Sequence, residues 1–331
     1  MMISKLIVAL ILLIMSFLVP AMGQTSASDW VHMSMVLGNQ GRCDEAIRAC
    51  DKAIELDPTI AGAWSNKAAA LLCLGRNEEA LQASEKAIEL DPTNVDAWSN
   101  KAGALGTLGK NEEAIRALDE AIKLNPNSAM AWSNKGGSLI NLGRNEEALQ
   151  ASEKAIELDP KLAKAWGNKA LALLNLDRNE ECLQASEKAI ELDPTIADLW
   201  SNKGEALSRQ GKYAEAIQAL DKAIEIDPLH ATAWNNKGWA FYKMGKYNES
   251  LQAANRSLEL EPLFANWDTK GTALSGLGQY AEAIECYNES IEINSEIGEV
   301  WYHKGEALNT LGRTIEAKAA FAKAKELGHT G

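Results

Sequence analysis

Apolar and polar positions along this chain return with a period much longer than that of any one helix or strand. Trp64, Trp98, Trp132, Trp166, Trp200 and Trp234 stand 34 residues apart, and Trp267 and Trp301 repeat the spacing after one residue is lost. A period of roughly 20–50 residues marks an array in which each unit is one supersecondary element. With residues 61–94 as the reference unit, Trp64 is position 4, Leu71 position 11, Ala80 position 20, Ala87 position 27 and Pro92 position 32. Positions 4, 8 and 11 recur at helical spacing and predict one face of a first helix. Small residues at positions 20 and 27 predict a second helix that approaches closely. Gly75 and its counterparts at position 15, with Asp177 the exception, suit a left-handed helix end and a tight turn. Asn77-Glu78-Glu79 predicts a capped start to the second helix, with acids near its positive end. Asp91-Pro92 predicts its stop, because the residue before Pro is driven out of the helical region. Each unit reads as an all-α helical hairpin. One hairpin cannot bury both its faces, so neighbours must stack.

The period changes what length alone suggests. A chain of 331 residues would ordinarily divide into two domains. Here residues 27–331 are expected to form one array of nine units, eight of 34 residues and one, 231–263, of 33. Hydrophobic residues make up 46% of the chain, which excludes global disorder. A net charge of −13 argues against nucleic acid or an anionic membrane surface as the main partner.

Residues 1–26 do not fit the period. Lys5 precedes the apolar run Leu6–Val19, followed by Pro20 and the small residues Ala21-Met22-Gly23. This order describes a secretory signal peptide. Cleavage is expected after Gly23, with Ala27 as the second site; the alternative is an uncleaved anchor across Leu6–Gly23. In either case the repeats face outward, exported or extracytoplasmic.

At Trp64, Lys67, Ala68, Leu71, Ala80, Ser84, Ala87 and Pro92 the unit resembles the tetratricopeptide repeat. The resemblance covers residues 27–331 and implies a right-handed superhelical α-solenoid whose first helices line a concave groove. Two departures stand out. Position 7 is Lys in eight units, Lys67 to Lys304, where the family usually has Leu; the expectation is a packed stem with the ammonium in water. Position 24 is Ser at Ser84, Ser152 and Ser186, where a large aromatic is common, which predicts looser hairpins.

In that frame positions 2, 5, 6, 9, 12 and 13 are expected to face the groove. Position 6 carries Asn66, Asn100, Asn134, Asn168, Asn202 and Asn236. Each amide offers a donor and an acceptor, so the row could hold the backbone of an extended peptide; the alternative is a residue simply copied by duplication. The dicarboxylate clamp known in the family is disfavoured, because position 5 carries no basic residue and Lys164 and Arg209 stand isolated. Trp239 and Tyr242 break the pattern at positions 9 and 12 and are expected to be binding anchors, the alternative being local repacking near the missing residue.

Catalytic signatures are missing. No glycine-rich phosphate loop or paired metal-binding His motif is present, and neither a cofactor nor a metal is expected. Residues 77–92 and 145–160 are identical, so neither copy holds a distinct catalytic group. Five cysteines form no complete disulfide framework; Cys43 and Cys50 are too far apart on one helix, and Cys50 with Cys73 is the pair considered. The N-glycosylation patterns at Asn248, Asn255 and Asn288 place their serines in small packing positions, which favours chance. The expected function is a non-enzymatic scaffold for a protein or extended peptide. The alternative is a self-associating structural subunit of an extracytoplasmic or membrane-associated assembly, with membrane contact only through an uncleaved N-terminus.

Overall fold

The computed structural model describes residues 25–329, so the expected signal segment lies almost wholly outside the described residues. Among the described residues there are eighteen helices and no strand, alternating between thirteen and fourteen residues until a final helix of thirteen. None is long and apolar enough to cross a membrane.

The helices fall into two compact units. In the first, ending at Pro126, α1 (Ala27–Asn39) pairs with α2 (Cys43–Leu56), α3 (Ala61–Cys73) with α4 (Asn77–Leu90), and α5 (Val95–Thr107) with α6 (Asn111–Leu124). In the second, from Asn127, the pairs are α7 (Ala129–Asn141) with α8 (Asn145–Leu158), α9 (Ala163–Asn175) with α10 (Asn179–Leu192), α11 (Ala197–Arg209) with α12 (Tyr213–Ile226), α13 (Ala231–Lys243) with α14 (Tyr247–Leu260), α15 (Phe264–Gly276) with α16 (Tyr280–Ile293), and α17 (Gly298–Thr310) with α18 (Thr314–Glu326). Within each unit every second helix also packs against the first helix of the next hairpin.

The turns follow the periodic residues. Gly75 lies at φ +71° and closes α3, with the Arg76 amide donating back to the Leu71 carbonyl at 2.9 Å. Asp177 holds the same backbone at φ +58° without glycine's freedom, and its carboxylate accepts from Asn179 Nδ2 at 2.9 Å. The expected Asn cap is displaced by one residue. Arg76, not Asn77, is the N-cap of α4, and it makes no side-chain cap bond. Its guanidinium instead reaches Glu79 through two bonds of 2.7 and 2.6 Å. Asp91 ends the helix in extended conformation and accepts from both the amide and the hydroxyl of Thr93.

Trp and Pro, distant in the repeat, act together. Trp64 Nε1 donates to the Pro58 carbonyl at 3.0 Å, and Trp98, Trp166, Trp200 and Trp234 do the same to the Pro six residues earlier. Where one residue is missing ahead of Trp267, buried Asn266 donates Nδ2 to the Glu261 carbonyl at 2.6 Å.

Lys67, Lys101, Lys169, Lys203 and Lys237 at position 7 end in ion pairs rather than in open water. Lys67 Nζ lies 2.7 Å from Asp51 of the preceding hairpin and 5.6 Å from the centroid of its own Trp64 ring. Lys101–Glu85, Lys169–Glu153, Lys203–Glu187 and Lys237–Asp221 repeat the pairing. The long stem packs as expected, but the acid sixteen residues earlier sits where the ammonium emerges.

Hairpin interiors adjust in pairs. Ser84, Ser152 and Ser186 are fully buried, with Ser84 and Ser152 hydroxyls donating to the carbonyl four residues back at 2.8 Å. Tyr287 and Phe321 take the equivalent place in the last two hairpins, and Gly271 and Gly305 face them. A Cβ on Gly271 would lie 2.5 Å from Tyr287 Cε1, and one on Gly305 2.6 Å from Phe321 Cε1.

The disulfide joins Cys43 to Cys73, not Cys50 to Cys73, with Cα atoms 6.3 Å apart. Cys43 opens α2 and Cys73 closes α3, so the bond ties two hairpins of the first unit. Cys50 lies two turns further along α2, buried, where desolvation raises its thiol pKa. Burial likewise pushes Cys182 and Cys286 up to about 11, which keeps them as unreactive packing residues.

Candidate peptide-binding face

The position-6 asparagines are partly buried, and most have already spent their donor. In the first unit Asn66 Nδ2 donates to the Val31 carbonyl at 3.2 Å and to Ser34 Oγ at 3.0 Å; Asn100 Nδ2 donates to the Ser65 carbonyl at 3.0 Å. In the second unit Asn168 Nδ2 donates to the Ser133 carbonyl at 2.8 Å, and Asn236 Nδ2 to Glu205 Oε2 at 3.2 Å. Asn134 presents its carbonyl to Lys164 Nζ at 2.9 Å. Asn202 is half-buried and forms no side-chain bond among the described residues. The row therefore joins successive first helices by reaching a carbonyl 35 residues back. Asn66, Asn100 and Asn168 each leave an amide oxygen for a ligand, an acceptor for peptide N–H groups, and Asn100 keeps one N–H besides.

Position 5 differs from expectation. Ser65, Ser133 and Ser201 are buried rather than groove-facing. The cause is visible at Gly167, where a Cβ would lie 2.7 Å from Leu199 Cδ2: position 5 packs against position 3 of the next hairpin. The two basic residues read as isolated are both engaged. Arg209 donates to the Leu174 carbonyl at 2.8 Å and pairs with Glu205 at 2.6 Å. Lys164, held by Asn134, has its pKa lowered by desolvation.

Trp239 and Tyr242 lie together on α13, half-buried, with ring centroids 5.4 Å apart. Lys243 Nζ sits 4.5 Å from the Trp239 ring centroid and 5.8 Å from that of Tyr242. Tyr247 adds a third ring 5.9 Å from Tyr242. Trp239 also reaches His303 of α17, at 6.5 Å. Around His303 stand Tyr287 at 6.0 Å and Tyr302 at 6.5 Å. The cluster thus spans three hairpins, whereas the sequence singled out only its α13 members.

Its polar centre is a His–Asp pair. His303 Nδ1 and Asp268 Oδ1 are 3.0 Å apart, both nearly buried, and His303 Nε2 lies 3.9 Å from Glu299 Oε1. Asp268 precedes His303 by 35 residues, so the pair occupies the place of the Asn-to-carbonyl link. Burial pulls the imidazole pKa down, but the Asp268 hydrogen bond and the charges of Asp268, Glu299 and Glu306 outweigh it and leave it raised. Tyr242 is raised by burial first, then by Glu306, Tyr247, Asp268 and Glu299. Buried Tyr287 is shifted upward by desolvation, its hydroxyl 3.1 Å from Ser275 Oγ. His303 was visible in the sequence as the one ring at position 6 of the last unit. Asp268 stands at position 5 of its unit, where the sequence shows only that it is not basic; its partner lies one unit on, 35 residues away. Among the described residues no His, Cys, Asp and Glu group is arranged to hold a metal ion.

Comparison with known proteins agrees with this architecture. Tetratricopeptide repeat models match residues 30–60, 49–82, 83–116, 100–163, 151–184, 195–260, 265–297 and 298–327. No curated protein matches the chain. Among solved structures, the APC/C hetero-tetramer Cut9–Hcn1 is similar with a TM-score of 0.68 at 18% identity, over 87% of this chain and 57% of that one. That likeness concerns the fold, and this chain spans little more than half of that protein's length. YrrB, described as a TPR protein with an unusual peptide-binding site, is similar at TM-score 0.46 and 22% identity, over 60% of this chain and 99% of that one. MamA from Desulfovibrio magneticus RS-1 gives TM-score 0.44 and 25% identity, over 51% and 96%.

Proposed function

We propose that this chain, which belongs to the tetratricopeptide repeat family, is an exported scaffold. In this reading it holds an extended segment of a partner protein against the first helices of residues 129–310. The carrying observation is the pair of half-buried rings Trp239 and Tyr242, large aromatic surfaces left partly open on a helix face. Upstream of them the amide oxygen of Asn168 is available to peptide N–H groups, and Asn202 adds a whole unpaired amide. The test is selection of binding peptides from a display library. Selected peptides should lose affinity for Trp239→Ala and Tyr242→Ala, and lose less for Asn168→Ala and Asn202→Ala. Undiminished binding by the aromatic variants overturns the reading.

Export is supported by the disulfide, and the choice of cleavage site by the cap of the first helix. Cys43–Cys73 is the kind of bond that persists in oxidising compartments. Ser26 caps α1 with a full capping box, its hydroxyl accepting from the Asp29 amide at 3.2 Å. Cleavage after Gly23 keeps this cap, whereas cleavage after Ala27 removes it. Mass spectrometry of the mature chain should find Gln24 first; a retained Met1 overturns cleavage. Self-association is the second reading, favoured by Ile315, which is 87% exposed on α18. Size measured against concentration decides it, and a strict monomer removes it.

A further inference from the structure

We propose that the aromatic cluster of the last three hairpins is a receptor for a basic side chain, so that the partner segment reaching it carries Lys or Arg. This rests on the preceding reading of Trp239 and Tyr242 as anchors and names what they anchor.

Three observations converge. First, the rings already hold an ammonium. Lys243 Nζ lies over Trp239 at 4.5 Å and Tyr242 at 5.8 Å, and among the described residues no carboxylate pairs with it. Its counterparts at position 13 are bound otherwise: Cys73 in the disulfide, Asn175 to Asn145 at 3.1 Å, and Arg209 to Glu205. Lys243 is exposed, so its flexible stem can leave the rings. Second, the charge around the rings is negative. Glu299 and Glu306 are exposed on α17, Asp268 lies below them on α15, and the fields of all three reach the Tyr242 phenol. Third, among the described residues no hydrogen bond or ion pair ties the Glu306 carboxylate to a protein cation, and Glu299 has only the long contact to His303. Ring faces carry negative potential, and a cation over them beside a carboxylate is held by both. Lys243 then acts as an internal placeholder that an incoming basic side chain displaces.

The experiment is calorimetric titration of the full chain with blocked tetralysine, tetra-arginine and tetraglutamate peptides. Because the whole chain is acidic, a control pair of equal charge change is needed: Glu78→Gln with Glu146→Gln, both exposed on second helices. Tetralysine or tetra-arginine should bind about tenfold tighter than tetraglutamate. Glu299→Gln with Glu306→Gln should weaken basic peptides by about five- to tenfold, and the control pair by less than about twofold. Lys243→Met, which removes the competitor, should strengthen them. Equal losses in the two acid pairs, no binding of either basic peptide, or weaker binding by Lys243→Met each overturns the proposal. Circular dichroism on every variant confirms the fold. Failure of the anchor reading looks different. If display-selected peptides need Trp239 and Tyr242 but ignore Glu299 and Glu306, the anchors stand and the basic partner falls. If selected peptides ignore both rings, both readings fall.

Discussion

The hairpins of residues 129–230 and those of residues 231–329 solve one packing problem with different side chains. In the former, successive first helices are linked by an amide, Asn168 to the Ser133 carbonyl; in the latter, by the pair His303–Asp268. Hairpin interiors hold Ser152 and Ser186 in one region, Tyr287 and Phe321 in the other. At the junction of positions 17 and 13, Asn145 meets Asn175, whereas the Tyr247 ring lies against Gly276, 2.3 Å from where a Cβ would be. The late hairpins therefore keep the contact at these places while changing residue type. Enlargement on one side is matched by glycine on the other. The late hairpins gain aromatic and charged groups by this exchange without leaving the period, and that is where a recognition surface differs from a copied one.

The junction of positions 17 and 13 also gives the largest expected effect. In the first unit it is covalent, and Cys43→Ser with Cys73→Ser should cost about 2–4 kcal/mol, the range typical of a native bridge. Native-state hydrogen exchange should show faster opening of α2 and α3 and little change in α13–α18. Uniform acceleration would mean that the array opens as one body and that the comparison between regions has no energetic content.

Next in size is a steric exchange. Gly271→Ala brings a Cβ against the Tyr287 ring and should cost about 1–3 kcal/mol. Adding Tyr287→Ser, which restores the Ala170–Ser186 combination found at these positions in residues 163–196, should recover part of that loss. Gly271→Ala alone leaving the denaturation midpoint unmoved would show that the late hairpins are looser than their burial indicates.

The amide link follows. Asn168→Ala removes one inter-hairpin hydrogen bond and should cost about 1 kcal/mol, whereas Asn202→Ala, with no such bond, should cost less than about 0.5 kcal/mol. Equal losses at the two positions would refute a structural role for the row.

Much of this arrangement is legible in the sequence, for a physical reason. The hairpins, their stacking, the Gly turns and the Asp-Pro stops depend on local backbone preferences that recur at fixed spacing. The volume exchange between positions 8 and 24 also lies within one unit, and the Trp-to-Pro bond spans only six residues across a unit boundary. What escaped reading acts between units. Asn168 finds a carbonyl 35 residues back, Lys169 an acid 16 back, and Cys43 a partner 30 ahead. Those distances depend on how hairpins are set against one another, which no single unit encodes. Cys50 is the wrong partner for Cys73 because it lies two turns, about 10.5 Å, further along the helix from the end that meets Cys73. Position 5 looks open on a single helix and closes only when the next hairpin is laid upon it.

The smallest expected effect tests the His303 pair. Burial opposes protonation, Asp268 together with Glu299 and Glu306 favours it, and the balance leaves the folded pKa raised. A raised histidine pKa means that the folded state binds the proton more tightly than the unfolded chain does, whose value is about 6.5. The stabilisation is fully present below that unfolded value and fades as pH rises through the folded one. His303→Gln keeps a polar group but cannot charge. The difference in denaturation midpoint between the wild type and this variant should therefore be greatest in acid and shrink above neutrality. Of the rings around it, Trp239 does not titrate and Tyr287 is shifted upward, so the carboxylates set the sign. A difference that grows with pH would mean that the neutral imidazole is the form the fold prefers. His303 would then be bound to Asp268 as a donor only, equivalent to the asparagines it replaces.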